Sequence, residues 1–81
     1  MYGDSPIPHQ AILNAQEIPP RRSQIDCDIP VTARIVWERD GEERIETVAY
    51  AYTRELALVR VSDPRSRFAG CWLTPADVRR R

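Results

Sequence analysis

The sequence has no lysine; all twelve of its basic residues are arginine. That absence removes Schiff-base chemistry, the phosphate-binding lysine of a P-loop and every form of lysine modification, and a GC-rich genome would produce it without any functional choice. Histidine occurs once, cysteine twice and glycine three times. Without a Cys-x-x-Cys pair the nitrogen and sulfur donors of a closed zinc site are not at hand, and so few glycines do not make a glycine-rich phosphate loop. No stretch approaches the roughly 18 apolar residues that a membrane helix needs, and the opening MYGDSPIPHQ has neither the basic nor the apolar region of a secretion signal. A cytoplasmic location is therefore expected, with no membrane partner and no bound cofactor or metal. There Cys27 and Cys71, far apart in sequence, are expected to stay reduced.

What is present is the composition of one small globular domain. The chain has 81 residues, 42% apolar and 30% charged, near the lower size at which a core can fold without metals or disulfides. The net charge is zero, but it is divided: residues 1–52 hold five Arg against nine Asp or Glu, and residues 53–81 hold seven Arg against three. If those parts are also spatial parts, the molecule is a dipole suited to steering towards an acidic partner or another copy of itself.

Residues 1–30 form a proline-rich arm in which only HQAILNAQEI is long enough to be regular. Asp4 or Ser5 could cap a short helix with Pro6 or Pro8 in its first turn, and Ile7, Ala11, Ala15 and Ile18 fall on one helical stripe. A helix of that length is marginal alone, so it must dock on the rest of the chain or on a partner. From Val31 the period becomes two: Val31, Ala33, Ile35 and Trp37 share one face of an expected strand. Asp40-Gly41 signals a hairpin, because glycine accepts the positive φ of a tight turn. In the returning strand, RIETVAYAYT, Ile45 lies on odd positions but Val48, Tyr50 and Tyr52 on even ones, and such a slip is expected where a bulge bends a strand. LALVRV reads as a third strand, residues 62–70 as a loop, and Cys71-Trp72-Leu73 as a fourth strand. Thr74 then caps a helical turn that begins at Pro75, and Arg79, Arg80 and Arg81 follow it as a solvated end.

Short strands, tight turns, a bent second strand and a terminal helical turn predict a mainly β fold, a small SH3-like barrel of four or five antiparallel strands over residues 31–81, able to fold without the arm. The stretches ARIVWERDG and LALVRV and the ending CWLTPADVRR resemble a group of small uncharacterised proteins of actinobacteria and their phages, which carry Trp-x-x-Asp-Gly in a hairpin and end in Trp-Leu-x-x-x-Asp-Val. The likeness spans about residues 31 to 80 and rests on apolar and turn positions, so it implies kinship of fold and no chemistry.

No catalytic constellation is found. Cys27 stands between Asp26 and Asp28, whose charges oppose a thiolate; Cys71 reads as a small buried hydrophobe; His9 lies in the arm away from any nucleophile; Glu42 and Glu43 flank a solvated hairpin tip. Trp37 and Trp72 are expected in the core, and one of Tyr50 and Tyr52 at the surface. The expectation is a non-enzymatic protein-interaction module, an accessory or regulatory protein of a phage or an actinobacterium, binding a protein partner or itself through Tyr50, Tyr52, Phe68, Arg60, Arg65 and Arg67. The alternative is a nucleic-acid-binding barrel that uses Arg79, Arg80 and Arg81, for which a zero net charge is a poor start.

Overall fold

The computed structural model describes residues 9–81; the helix-capping positions Asp4 and Ser5, with Pro6, Ile7 and Pro8, lie outside the described residues. Five strands, β1 (Ile25–Trp37), β2 (Gly41–Tyr52), β3 (Ala57–Arg60), β4 (Gly70–Leu73) and β5 (Val78–Arg80), form one antiparallel sheet in the order β4-β3-β2-β1-β5. The sheet is open. The helical content of the described residues is two 3-10 turns, Arg21–Ser23 and Pro75–Asp77.

The alternation read from Val31 is the one that builds the core. Val31, Ala33, Ile35 and Trp37 are buried on one face of β1, and Ala49, Val59, Val61 and Leu73 close over them. The chain reverses through Glu38, Arg39 and Asp40 into Gly41, whose φ of 79° is the left-handed conformation that the hairpin demands. β1 also runs back past Pro30 to Ile25. A proline is tolerated there because its missing N–H faces β5 where that strand runs out: Arg81 N–H donates to the Pro30 carbonyl at 3.0 Å, and the β5 pairing begins with Arg80 opposite Val31.

The phase slip in β2 is real and has a bulge at its centre. Ala49 pairs with Val59 but Ala51 pairs with Leu58, so Tyr50 is extra on that side. A second shift, between Asp26 and Ile29 of β1, lies at the same level of the sheet, and two aligned irregularities bend it. The bend changes which residues look inward. Cross-strand partners share a face, so Ala51, Leu58 and Trp72 form a row on the side opposite Leu73. Trp72 is 4% exposed, yet it packs outside the main core, beside Leu58 and Gln16 and Pro19 of the arm.

Two expectations fail at the chain's ends. Residues 9–18 are not helical: isolated bridges at Ile12 and Gln16 flank a turn at Leu13 and Asn14. A ten-residue helix is marginal, whereas here the arm's N–H groups find strand carbonyls: Leu13 N–H donates to Val36 at 2.7 Å and Gln16 N–H to Trp72 at 2.8 Å. The final arginines are not a loose fringe either. Thr74 precedes the 3-10 turn with Pro75 at its start, as expected, but makes no side-chain cap; Val78, Arg79 and Arg80 then pair with Ala33, Thr32 and Val31 as β5. Val78 faces the core cluster, and that apolar anchor holds the arginines to the sheet.

Candidate binding groove

The arm is fixed across the gap between β1 and β4. Its Ile12 bridges to Trp37 and its Gln16 to Trp72, while Glu38 N–H donates to the Ala11 carbonyl at 2.9 Å and Gln10 N–H to the Arg65 carbonyl at 2.8 Å. Alternation sends Ile12 onto the core and leaves Leu13 outside. Asn14 is the main polar anchor: its amide nitrogen donates to the Arg34 carbonyl at 2.9 Å and to Asp77 at 3.0 Å, and its oxygen accepts the Val36 N–H at 3.0 Å. Asp77 also takes Arg34 at 2.9 Å. The Asn14 hydrogen bond, then Arg34, holds the Asp77 carboxyl below its ordinary range.

Between this arm and strand β4 lies a groove made of two contiguous cavities, about 440 Å³ and 650 Å³, which meet at Ala15, Phe68, Gly70 and Cys71. Phe68 stands over it, 70% exposed, and Ile18 flanks the larger cavity at 78%. Local hydrogen bonds present Phe68: its N–H donates to Ser66 Oγ at 3.2 Å, and the Ser66 hydroxyl donates to its carbonyl at 2.7 Å. Apart from Cys71, the titratable side chains lining the groove are His9, Arg67 and Arg21, with no carboxylate.

The residues singled out in the sequence are not gathered at one place. Phe68 and Arg67 line the groove. Tyr50 is half-buried, its hydroxyl against Gly70 and its ring 6.0 Å from the Arg60 guanidinium. Tyr52 is 40% exposed and lines a separate cavity of about 220 Å³ with Leu56 and Val78. Arg65 is engaged within the molecule: it grips Asp63 with Nε at 2.9 Å and Nη2 at 2.8 Å, reaches Glu43 at 2.7 Å and Asp40 at 3.1 Å, and stacks on Trp37 at 4.2 Å. Trp37 Nε1 donates to the same Glu43 at 2.9 Å. A planar guanidinium serves this bidentate and stacked geometry as lysine would not, and it keeps Asp63 and Asp40 below the usual carboxylate range, together with the Gln10 amide that is foremost at Asp40.

Arg79 and Arg80 line a polar depression of about 640 Å³ with Thr32, Arg34, Arg44 and Asp77. Arg34 pairs there with Glu42 at 3.2 Å as well as with Asp77, and Arg44 with Glu42 at 3.5 Å. Arg81 turns back to donate to the Val31 and Thr47 carbonyls at 3.1 and 3.0 Å. Burial pushes the Cys71 thiol up to about 11, and Cys27 is raised first by burial, then by Asp28 and Asp26; a thiol held protonated is a poor nucleophile. Among the described residues no group of His, Cys, Asp or Glu is placed to hold a metal ion, and no helix is long and apolar enough to cross a membrane. No protein-family model matches the chain, and no curated protein or solved structure matches it.

Proposed function

We propose that the chain is a non-enzymatic protein-interaction module, built on a small SH3-like barrel frame, that serves as an accessory factor of a phage or an actinobacterium. The frame is supported by a single antiparallel sheet whose last strand returns beside its first, bent by a bulge in its second. The functional reading is carried by one observation: two large apolar side chains, Phe68 and Ile18, line the same cavity and are left largely in water. An apolar pair exposed on one cavity, with polar groups at its rim, is the kind of surface by which a small domain takes a partner.

The test is photocrosslinking in the native host, with a benzophenone side chain at Phe68 in one variant and at Glu55, an exposed residue that lines no cavity given above, in another. A discrete protein adduct is expected at Phe68 and none at Glu55. Equal labelling at both positions would refute the reading. The second reading, nucleic-acid binding, draws on Arg79 and Arg80 being fixed on β5 beside Arg34 and Arg44. Against it, Glu42 and Asp77 neutralise Arg34 and Arg44, and no aromatic lines that depression for base stacking. It would take the lead if the chain bound single-stranded DNA with an affinity that fell steeply with salt and lost slope in Arg79→Ala, Arg80→Ala.

A further inference from the structure

Strand β4 is an edge of the sheet, paired with β3 on one side only. Its backbone alternates. The Ala69 carbonyl turns inward and accepts the Val61 N–H at 2.8 Å, whereas the Trp72 carbonyl turns outward and accepts the Gln16 N–H at 2.8 Å. Gly70, one residue after Ala69 and two before Trp72, must therefore turn its N–H and C=O outward, in phase with Trp72. The arm covers the edge at Trp72, but among the described residues nothing from outside the sheet is hydrogen-bonded to the Gly70 backbone. An outward-facing pair of peptide groups at the floor of an apolar groove is a template for one more strand.

The charges around this template are of one sign. Arg67 lines one end of the groove and Arg21 the other. Neither makes an ion pair among the described residues, whereas Arg34, Arg39, Arg44, Arg65 and Arg81 all do. Arg22, Arg54, Arg60, Arg79 and Arg80 also make none, so what sets the groove apart is that its lining brings two such arginines to an apolar surface with no carboxylate among them.

Building on the interaction-module reading, we infer that the groove takes an extended, acidic segment of a partner protein, which adds as a strand at Gly70. Alternate side chains of that segment rest against Phe68 and Ile18, and its carboxylates meet Arg67 and Arg21. Backbone pairing supplies the geometry, the apolar anchors most of the affinity, and the charges the choice of partner and the rate of encounter.

The experiment uses the full chain, labelled with 15N, and linear peptides selected on it from a displayed random dodecamer library. The selected peptides are expected to alternate apolar with other residues and to be rich in Asp and Glu, and their titration should shift the amide resonances of Gly70, Phe68 and Trp72. Arg67→Glu with Arg21→Glu should weaken binding by at least about tenfold, since charge reversal both removes an attraction and adds a repulsion. The melting temperature should hold, because both side chains are exposed. Basic peptides, or binding indifferent to the charge reversal, would overturn the acidic ligand. Peptides whose shifts map to the Tyr52 cavity would overturn this groove while leaving an interaction module in place, and no selectable peptide together with no adduct at Phe68 would overturn both. Concentration-dependent broadening at Gly70 without peptide would mean that a second copy of the chain fills the edge, which also overturns the proposal.

Discussion

Replacing Asn14 with alanine tests whether the arm is part of the fold or an attachment to it. The change removes three hydrogen bonds, to the Arg34 carbonyl, to Asp77 and from the Val36 N–H. A neutral hydrogen bond contributes roughly 0.5 to 1.5 kcal/mol net and one to a charged group about 1.5 to 3. The three do not add in full: Asp77 keeps Arg34, but the Val36 N–H, half-buried in β1, is left without its acceptor. The expected cost is therefore about 2 to 4 kcal/mol, a large part of the roughly 4 to 12 kcal/mol that a chain of this length holds. At about 4 to 8 °C per kcal/mol, the midpoint should fall by roughly 8 to 32 °C. Thermal melts followed by circular dichroism read the global effect. Trypsin reads the local one, since a loosened arm should be cut faster after Arg21 and Arg22, both exposed. A midpoint within about 2 °C of the parent, with unchanged cleavage, would show that the arm is not held by Asn14, and the groove it walls would lose its rigid side.

Gly70→Ala should destabilise by about 1 to 3 kcal/mol as an overpacked contact, because a Cβ there would meet the Tyr50 hydroxyl and come within 2.9 Å of the Val59 carbonyl. Urea denaturation of Gly70→Ala in a Tyr50→Phe background should recover part of that loss; no recovery would assign the cost to the backbone contact alone. Acid stability follows from carboxyls whose folded-state values are depressed at Asp63, Asp40 and Asp77. The unfolded chain, with Asp near 3.9, then binds protons first, so their contribution is complete above about pH 5 and is lost as pH falls through 3.9 and the lower folded values. Melts from neutral pH downwards should show that decline, and Arg65→Met should flatten it; an unchanged profile in that variant would mean that the Arg65 cluster does not control the acid limb.

The elements with strong local signals were the legible ones. Val31 to Trp37 alternate without interruption on the buried face, and Asp40-Gly41 names its own turn, so β1 and the hairpin follow from residue types. The slip in β2 was visible because Ile45 and Tyr52 cannot share a phase without an extra residue. What stayed hidden depended on distant partners. Arg65 reads as one arginine among many in SDPRSRF, and its ion pairs come from the β1–β2 hairpin and its own loop. Three arginines after a helical turn look like a frayed end until Val78 is seen to face the core and bring them onto β1. Asn14 left a trace, a lone amide inside AILNAQ, but nothing local says that its acceptors and donors lie on β1 and on the turn before β5.

The largest misreading, a helix in the arm, bears directly on the groove. Residues with helical spacing can satisfy their own backbone, and a helix here would have presented Ala11, Ala15 and Ile18 together to the sheet. The arm instead gives its N–H groups to Val36 and Trp72, which is favourable because β5 pairs with β1 only from Val31 to Ala33, leaving the Val36 carbonyl free, and because β4 is an edge strand within reach of the same segment. The consequence is a change in which apolar residues are buried. Ile12 is drawn onto the core while Leu13 and Ile18 remain in water, and the edge is covered at Trp72 but not at Gly70. An arm that folded on itself would have hidden its apolar face; an arm used as a strap covers the edge only in part, and the part left open is where Phe68, Arg67 and the Gly70 peptide groups converge.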